Sequence, residues 1–159
     1  MTRIPRKLTH FLSYCQHFAA RFTRPMTLGV RAVVLDREDR VLLVRHSYIA
    51  GWHLPGGGVD AGETLHAAMA RELAEETAVT LTAPARLHGI FFSTRFSRRD
   101  HVAVYIVRDF DASRPRKPDW EILETGFFAA ANLPEGVTKA TKSRLMEILD
   151  GAPVSEHWL

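Results

Sequence analysis

Three carboxylates stand close together in the segment ARELAEET, residues 70–77. Glu72, Glu75 and Glu76 lie at i, i+3 and i+4, so a helix would place them on one side. Like charges at this spacing cost an isolated helix about 0.2–0.5 kcal/mol per pair, and acids near a helix C-terminus also oppose the helix dipole. Crowded oxygen ligands are, however, what hard cations such as Mg²⁺ or Mn²⁺ prefer. The segment is therefore either a solvated helix face or part of a divalent-cation site.

A glycine-rich loop, GWHLPGGGVDAGE at residues 51–63, precedes the acidic segment. Gly56, Gly57 and Gly58 lack a Cβ, so their backbone carbonyls and amides can approach a ligand closely. A loop carbonyl and three carboxylates would form an oxygen-only ligand set. A cation site of this open kind keeps several waters and usually shares its cation with substrate phosphates. Taken alone, the acidic segment is best interpreted as a solvated face, so the spacing between the loop and the helix has to decide.

The stretch from Gly57 to Val79 reads G-x5-E-x7-R-E-L-x-E-E-x-A-V. It closely resembles the Nudix box, G-x5-E-x7-R-E-U-x-E-E-x-G-U, in which U is a bulky aliphatic residue. Every position matches except the last glycine, which is Ala78 here. The LPGG that leads into the stretch is also typical of the family. The resemblance implies a hydrolase acting on nucleoside diphosphates linked to another moiety.

The resemblance also implies a role for each matching position. The implied metal ligands are the Gly57 carbonyl and the carboxylates of Glu72, Glu75 and Glu76. Glu72 and Glu75 are at the same time candidate catalytic residues, with Glu75 as a base that activates water. Glu63 and Arg71 would support the site, since arginine can form a fork pair with a carboxylate and fix its direction.

Candidate residues outside the box are less specific. Some family members take an additional base from a position shortly before a late strand, where Glu121 and Glu124 lie here, and Glu121 is favoured as a third catalytic residue. Arg45, at a strand end, is a candidate phosphate contact, and Tyr48 is a candidate for stacking on a base. Arg95 lies in a basic connection and is a third candidate for substrate binding. Each of these three residues is equally compatible with an ordinary surface position.

The elements that must position these residues are predicted from hydrophobic periodicity. Val- and Leu-rich runs predict strands, and strong helix formers predict two helices. The strands are expected at 27–36, 40–46, 86–93, 101–108 and near 127–130, and the helices at 64–77 and 139–149. Leu65, Ala68, Met69 and Leu73 are expected on the buried side of the first helix. Together with the resemblance, this order predicts an α/β fold, a Nudix-type α/β/α sandwich with a mixed β-sheet, plus an N-terminal amphipathic helix.

Residues 1–25 differ in charge from the rest of the chain. They contain five basic residues and no acidic one, whereas the net charge of the whole chain is +3, so residues 26–159 carry −2. The main domain, residues 26–159, is therefore not expected to bind DNA. Apolar residues at helical spacing predict a basic amphipathic helix within residues 1–25. A helix docked on the domain is favoured over an interfacial membrane helix or a transit peptide.

Length and composition agree with one globular domain. The 159 residues suffice for a hydrophobic core, and 46% apolar with 25% charged residues is ordinary for such proteins. Cys15 is the only cysteine, which excludes an intrachain disulfide and predicts a cytoplasmic location.

The function implied by the resemblance is Mg²⁺- or Mn²⁺-dependent hydrolysis of a pyrophosphate linkage in a nucleoside diphosphate derivative. The main alternative is a Nudix-like domain that binds nucleotides or RNA without cleaving them, but such domains have typically lost box glutamates, and all four remain here. The isomerase branch of the fold uses an active-site cysteine, and Cys15 lies far upstream. The sequence selects no particular substrate. Many relatives dimerise, so a homodimer is also compatible with the resemblance.

Overall fold

The computed structural model describes residues 26–94, 98–114, 116 and 120–159. The helix predicted within residues 1–25 lies outside them, as does Arg95. The described strands are β1 Thr27–Val34, β2 Arg40–His46, β3 Trp52–His53, β4 Thr80–Leu81, β5 Arg86–Ser93, β6 Asp100–Val107, β7 Phe110–Asp111, β8 Ile122–Ala129 and β9 His157–Trp158. The described helices are α1 Leu65–Thr77 and α2 Lys139–Leu149, with a 3₁₀ turn at Ala130–Asn132. Neither α1 nor α2 has the length and apolar character of a membrane-spanning helix.

A mixed four-stranded sheet has the order β1-β6-β5-β9. In it β1 runs parallel to β6, β5 runs antiparallel to β6, and β9 runs parallel to β5. A second, antiparallel sheet has the order β3-β2-β8, and β4 pairs with β7. The parallel pairing of β1 with β6 joins two segments that are about 70 residues apart in the sequence.

Alternate residues of β1 face two separate apolar cores, as expected for a strand covered on both sides. One core joins Val30, Ala32 and Val34 to the α1 residues Ala68, Met69 and Leu73. The other joins Val33 and Leu35 to Leu145 of α2. The two helices therefore cover opposite faces of the strands, which confirms the predicted α/β/α sandwich with mixed pairing.

Most of the predicted elements are confirmed, and the differences have local causes. The late strand begins at Ile122, well before the predicted residue 127. The exposed Leu123 and Glu124 interrupt the apolar pattern, so the sequence did not indicate this earlier start. The strands β3, β4, β7 and β9 were not predicted, since two residues are too short for any periodicity. The buried side of α1 contains Ala68, Met69 and Leu73 as predicted, but it also contains Glu76.

Helix α1 has a favourable start and a strained end. Thr64 caps its N-terminus, where the Thr64 hydroxyl accepts a hydrogen bond from the Ala67 amide at 3.1 Å. At the C-terminus, Ala78 adopts the left-handed conformation with φ 60° and ψ 13°, and its amide donates to the Ala74 carbonyl. Glycine is preferred at such a position because it has no Cβ to crowd the backbone. The one departure from the Nudix box pattern thus falls on a residue that is strained in this chain.

Replacing Ala78 with glycine should raise the free energy of unfolding by about 1 kcal/mol, because glycine adopts a positive φ without the steric penalty. The same substitution at Ala70, inside α1, should lower that free energy by about 1 kcal/mol. Urea unfolding of both variants measures the two effects. Changes of the same sign would show that the conformation of Ala78 is not a source of strain.

Candidate active site

The glycine loop lies directly between β1 and α1. On the β1 side, the Val30 amide donates a hydrogen bond to the Gly57 carbonyl at 2.9 Å. On the α1 side, the Gly56 amide donates to Oε2 of Glu76 at 2.8 Å. Gly56 has φ 137°, and a Cβ there would clash with the Val30 backbone. Only glycine therefore fits where the loop is held between the sheet and the acidic helix.

Gly57 lies against the carboxylate of Glu72. A Cβ on Gly57 would lie 2.5 Å from a carboxylate oxygen of Glu72, so the two residues are in direct contact. The Gly57 carbonyl already accepts one hydrogen bond from Val30, but a carbonyl oxygen has two lone pairs. Gly57 and the Glu72 carboxylate thus lie next to each other, where the sequence predicted a shared cation site.

Glu76 is the most deeply buried of the box glutamates, with 7% of its surface exposed. Burial raises the pKa of Glu76 to about 7, although the Gly56 amide and the nearby Arg31 act in the opposite direction. Nε2 of His46 lies 3.5 Å from Oε1 of Glu76. Burial and the charge of Arg31 lower the pKa of His46 to about 4, so His46 is neutral at pH 7 and supplies no positive charge. An ionised Glu76 would therefore be stabilised by a cation.

Arg71 holds the other carboxylates of the cluster. It forms a fork pair with Glu63, with Nε to Oε1 and Nη2 to Oε2 both at 3.0 Å. Its Nη1 donates to Oε1 of Glu72 at 2.8 Å and to Oε2 of Glu75 at 3.3 Å. The hydrogen bonds from Arg71 lower the pKa of Glu63. One guanidinium thus offsets much of the repulsion that the sequence predicted for this helix.

The donors suit a hard cation in their chemistry. Across the described ranges, no three acidic, histidine or cysteine side chains already converge in an arrangement that would hold a metal ion. Arg71 donates hydrogen bonds to Glu72 and Glu75, and the Gly56 amide donates to Glu76. All the donors are oxygen atoms. The Glu72 carboxylate fills the space that a Cβ on Gly57 would need. This donor chemistry fits Mg²⁺ or Mn²⁺.

The candidates outside the box fall into two groups. The Tyr48 hydroxyl donates to Oε1 of Glu121 at 3.5 Å, and the charge of Glu121 contributes to the raised pKa of Glu76. Arg45 instead pairs with the other candidate base, Glu124, at 2.8 Å, and both side chains are exposed. The structure therefore brings Glu121 and Tyr48 to the edge of the carboxylate cluster and leaves Arg45 in a surface ion pair.

Arg31 is a site residue that the sequence pattern did not single out. Its guanidinium donates to the carbonyls of Leu54, at 3.1 Å, and Gly56, and so supports the glycine loop from β1. A lone charged residue within the apolar run GVRAVV was the available indication. His46 reaches Glu76 at the point where the register of β2 against β8 shifts. Such bulges redirect side chains near active sites and leave no mark in the sequence.

The α/β/α sandwich, together with the glycine loop followed by the acidic helix α1, is the arrangement of a Nudix-type protein. The family model described as the NUDIX domain matches residues 25–147, and the chain belongs to this family. A putative 8-oxo-dGTP diphosphatase of Bacillus subtilis is 34% identical over 76 residues, 48% of this chain and 50% of the relative. The chain spans about half the length of this relative and of a putative mutator protein MutT4 from Mycobacterium tuberculosis.

Solved structures show the same fold. A MutT NUDIX hydrolase from Burkholderia pseudomallei superposes with a TM-score of 0.66 at 28% identity, covering 77% of this chain and 97% of the other. An ADP-ribose pyrophosphatase from Streptococcus suis superposes with a TM-score of 0.65 at 26% identity, covering 84% of this chain and 96% of the other. The likeness thus extends well beyond the box.

Gly57→Ala should abolish cation binding without unfolding the protein, because the added methyl displaces the flexible Glu72 carboxylate and not the backbone. Gly58→Ala is the matched control, since a Cβ there meets nothing within 4 Å. Gly56→Ala should instead lower the free energy of unfolding by about 2 kcal/mol or more, through its clash with the Val30 backbone. Calorimetric titration with Mn²⁺ and thermal melts separate the three cases. Unchanged Mn²⁺ affinity in folded Gly57→Ala would contradict the proposed contact.

The metal-free protein should lose stability through Glu76 as the pH rises. The pKa of Glu76 is raised from 4.5 to about 7, so the stabilising protonated form is fully present below pH 4.5 and is lost as the pH passes about 7. Between pH 5 and 8 the melting temperature of the EDTA-treated chain should therefore fall relative to Glu76→Gln. Mg²⁺ should reverse this difference at pH 8 but not at pH 5. If the melting temperatures of the two proteins change with pH in the same way, both with and without Mg²⁺, this account is refuted.

Proposed function

We propose that this chain is a Nudix pyrophosphohydrolase that cleaves a diphosphate linkage in a nucleoside diphosphate derivative. The observation that carries the proposal is the meeting of the Gly56–Gly57 backbone with the carboxylates of Glu72 and Glu76. A domain that only binds nucleotides would not need a buried, desolvated glutamate beside the glycine loop. The retention of all four box glutamates argues in the same direction.

Mg²⁺ or Mn²⁺ is the proposed cofactor. The residues that would hold it are the Gly57 carbonyl and the carboxylates of Glu72, Glu75 and Glu76. When bound, such an ion neutralises phosphate oxygens and lowers the pKa of water. Glu63 holds Arg71 in its fork pair, and Arg71 in turn fixes where Glu72 and Glu75 lie.

The proposed chemistry is attack of water on phosphorus with departure of the second phosphate group. The proton of the attacking water would pass to a carboxylate, and Glu75 and Glu121 are the two candidates. Glu75 is more than half exposed and is contacted by Arg71 at 3.3 Å. Glu121 is approached by the Tyr48 hydroxyl and lies within electrostatic reach of Glu76. The freedom of Glu75 suits a base that must meet solvent, and the position of Glu121 suits a base outside the box.

The substrate class follows from the family. The compared relatives are described as an 8-oxo-dGTP diphosphatase and an ADP-ribose pyrophosphatase, so an oxidised nucleotide and a nucleotide sugar are the two substrates to test first. Arg45, Tyr48 and Arg95 are proposed substrate contacts. For Arg45 this requires the surface ion pair with Glu124 to open. We place the catalytic unit in residues 26–159.

Glu76→Gln should lower kcat by about 100-fold or more on any diphosphate substrate, because it removes an anionic ligand from the cation site. Glu75→Gln and Glu121→Gln identify the base, because only the variant that lacks the base should lose about 100-fold in kcat for that reason. Glu121→Gln should retain its affinity for Mn²⁺. The exposed Glu135→Gln is the control. The measurement is turnover of 8-oxo-dGTP and ADP-ribose with Mg²⁺, in ¹⁸O-labelled water. Full activity in folded Glu76→Gln, or a product without ¹⁸O on phosphate, would overturn the assignment.

A further inference from the structure

A cleft of about 740 Å³ opens beside the glycine loop. Gly57, Gly58 and Glu63 line one part of it, so the cleft borders the glycine loop that contacts the carboxylate cluster. Its volume lies in the usual range for pockets that hold small organic ligands. Neither Arg45 nor Tyr48 belongs to its described lining. The cleft therefore offers space for a part of the substrate other than the diphosphate.

One row of residues crosses the four-stranded sheet at this cleft. Trp158 of β9 pairs with Ser93 of β5, Ser93 with Asp100 of β6, and Asp100 with Thr27 of β1. All four line the cleft, and the Thr27 hydroxyl donates to the Asp100 carboxylate. Cross-strand partners lie side by side on a sheet. The row thus has the indole at one end, the buried Ser93 next to it, and the Asp100 carboxylate with the Thr27 hydroxyl beyond.

Trp158 is supported from behind. It is partly exposed, while its ring lies 6.3 Å from the ring of buried Phe91. The guanidinium of Arg144 lies 3.7 Å from the centroid of Phe91 and 5.8 Å from that of Trp158. An aromatic ring with one side packed and some surface left open is suited to stacking on a flat ligand.

A buried ion pair holds the segment that carries Trp158. Arg144 is fully buried and pairs with Glu147, whose other oxygen is 2.8 Å from Nε2 of His88. The same two residues also hydrogen-bond the C-terminal segment. The Ser155 amide donates to Glu147 at 3.0 Å, and Arg144 donates to the His157 carbonyl at 3.4 Å. A two-residue strand such as β9 needs support of this kind to stay in place.

The contacts of this pair distinguish it from simple core stabilisation. An apolar pair of similar volume would often hold α2 against the sheet equally well or better, because burying charges is costly. Apolar side chains could not hydrogen-bond the backbone of residues 155–157. What the ion pair adds is thus a fixed position for Trp158 in the cleft.

We propose that Trp158 is the stacking surface for the nucleobase of the substrate, and that Arg144 and Glu147 are positioning residues that hold it there. The proposal rests on the proposed function, since it assumes that the diphosphate lies at the adjoining carboxylates. A nucleobase is the part of such a substrate that is flat and aromatic and carries polar edges. The indole and the Asp100 carboxylate match these two properties in one row.

The first test compares AMP and GMP with ribose 5-phosphate, which lacks the base, in calorimetric titrations with Mg²⁺. Trp158→Ala should weaken AMP and GMP binding by about 5- to 150-fold, the range that base stacking contributes, and leave ribose 5-phosphate unchanged. Trp158→Phe should retain most of the affinity while losing the nucleotide-dependent change in tryptophan fluorescence. The exposed Leu159→Ala is the matched control. On a turned-over substrate, Trp158→Ala should raise KM and leave kcat within about twofold.

The second test addresses the positioning role. The double variant Arg144→Met, Glu147→Leu keeps the core filled and should weaken AMP binding in the unmodified chain. In the Trp158→Ala background it should add no further loss, because the residue it positions is gone. An equal loss in both backgrounds would overturn the positioning role.

The binding measurements do not depend on turnover, so the two proposals can fail separately. Normal AMP and GMP binding by Trp158→Ala, an equal loss of ribose 5-phosphate binding, or no nucleotide binding by the unmodified chain would overturn the stacking proposal. Base-dependent binding without hydrolysis would instead overturn only the proposed activity.

Discussion

The structure depends on the close approach of one stretch of backbone to both a strand and a helix. Hydrogen bonds from Val30 to Gly57 and from Ala32 to Pro55 attach the loop to β1. The Gly56 amide then binds Glu76 of α1 directly. The loop is thus fixed to the sheet by main-chain hydrogen bonds and to the acidic helix by a single carboxylate. A site built this way is precise because backbone moves less than long side chains do.

This precision is accompanied by several locally unfavourable features in one place. Glu76 is buried with a raised pKa, Glu72 and Glu75 share one guanidinium, and Ala78 ends the helix in a left-handed conformation. Both described helices begin at a threonine cap, and two apolar cores fill the domain on either side of the strands. Unfavourable features concentrated around one loop are typical of a site where function competes with stability.

Local patterns in the sequence predicted most of the fold and the centre of the site. Helix α1, the long strands and the spacing of the box all depend on neighbours within about 25 residues of one another. The different environments of Glu75 and Glu76 could not be predicted this way, because adjacent helical residues are distinguished only by what packs on each side. The same holds for the register shift at His46 and for the two-residue strand β9. These features are set by partners that are distant in the chain.

The division between local and distant determinants bears on how substrate choice can change. The carboxylates come from one loop and one helix that pack in the core containing Met69 and Leu73. The far wall of the cleft comes from the ends of four strands and is supported from the second core, which contains Phe91 and Leu145. Substitutions that share no contacts usually have independent effects. The cleft wall can therefore vary without disturbing the carboxylates, which explains physically why the box indicates a reaction and leaves the substrate open.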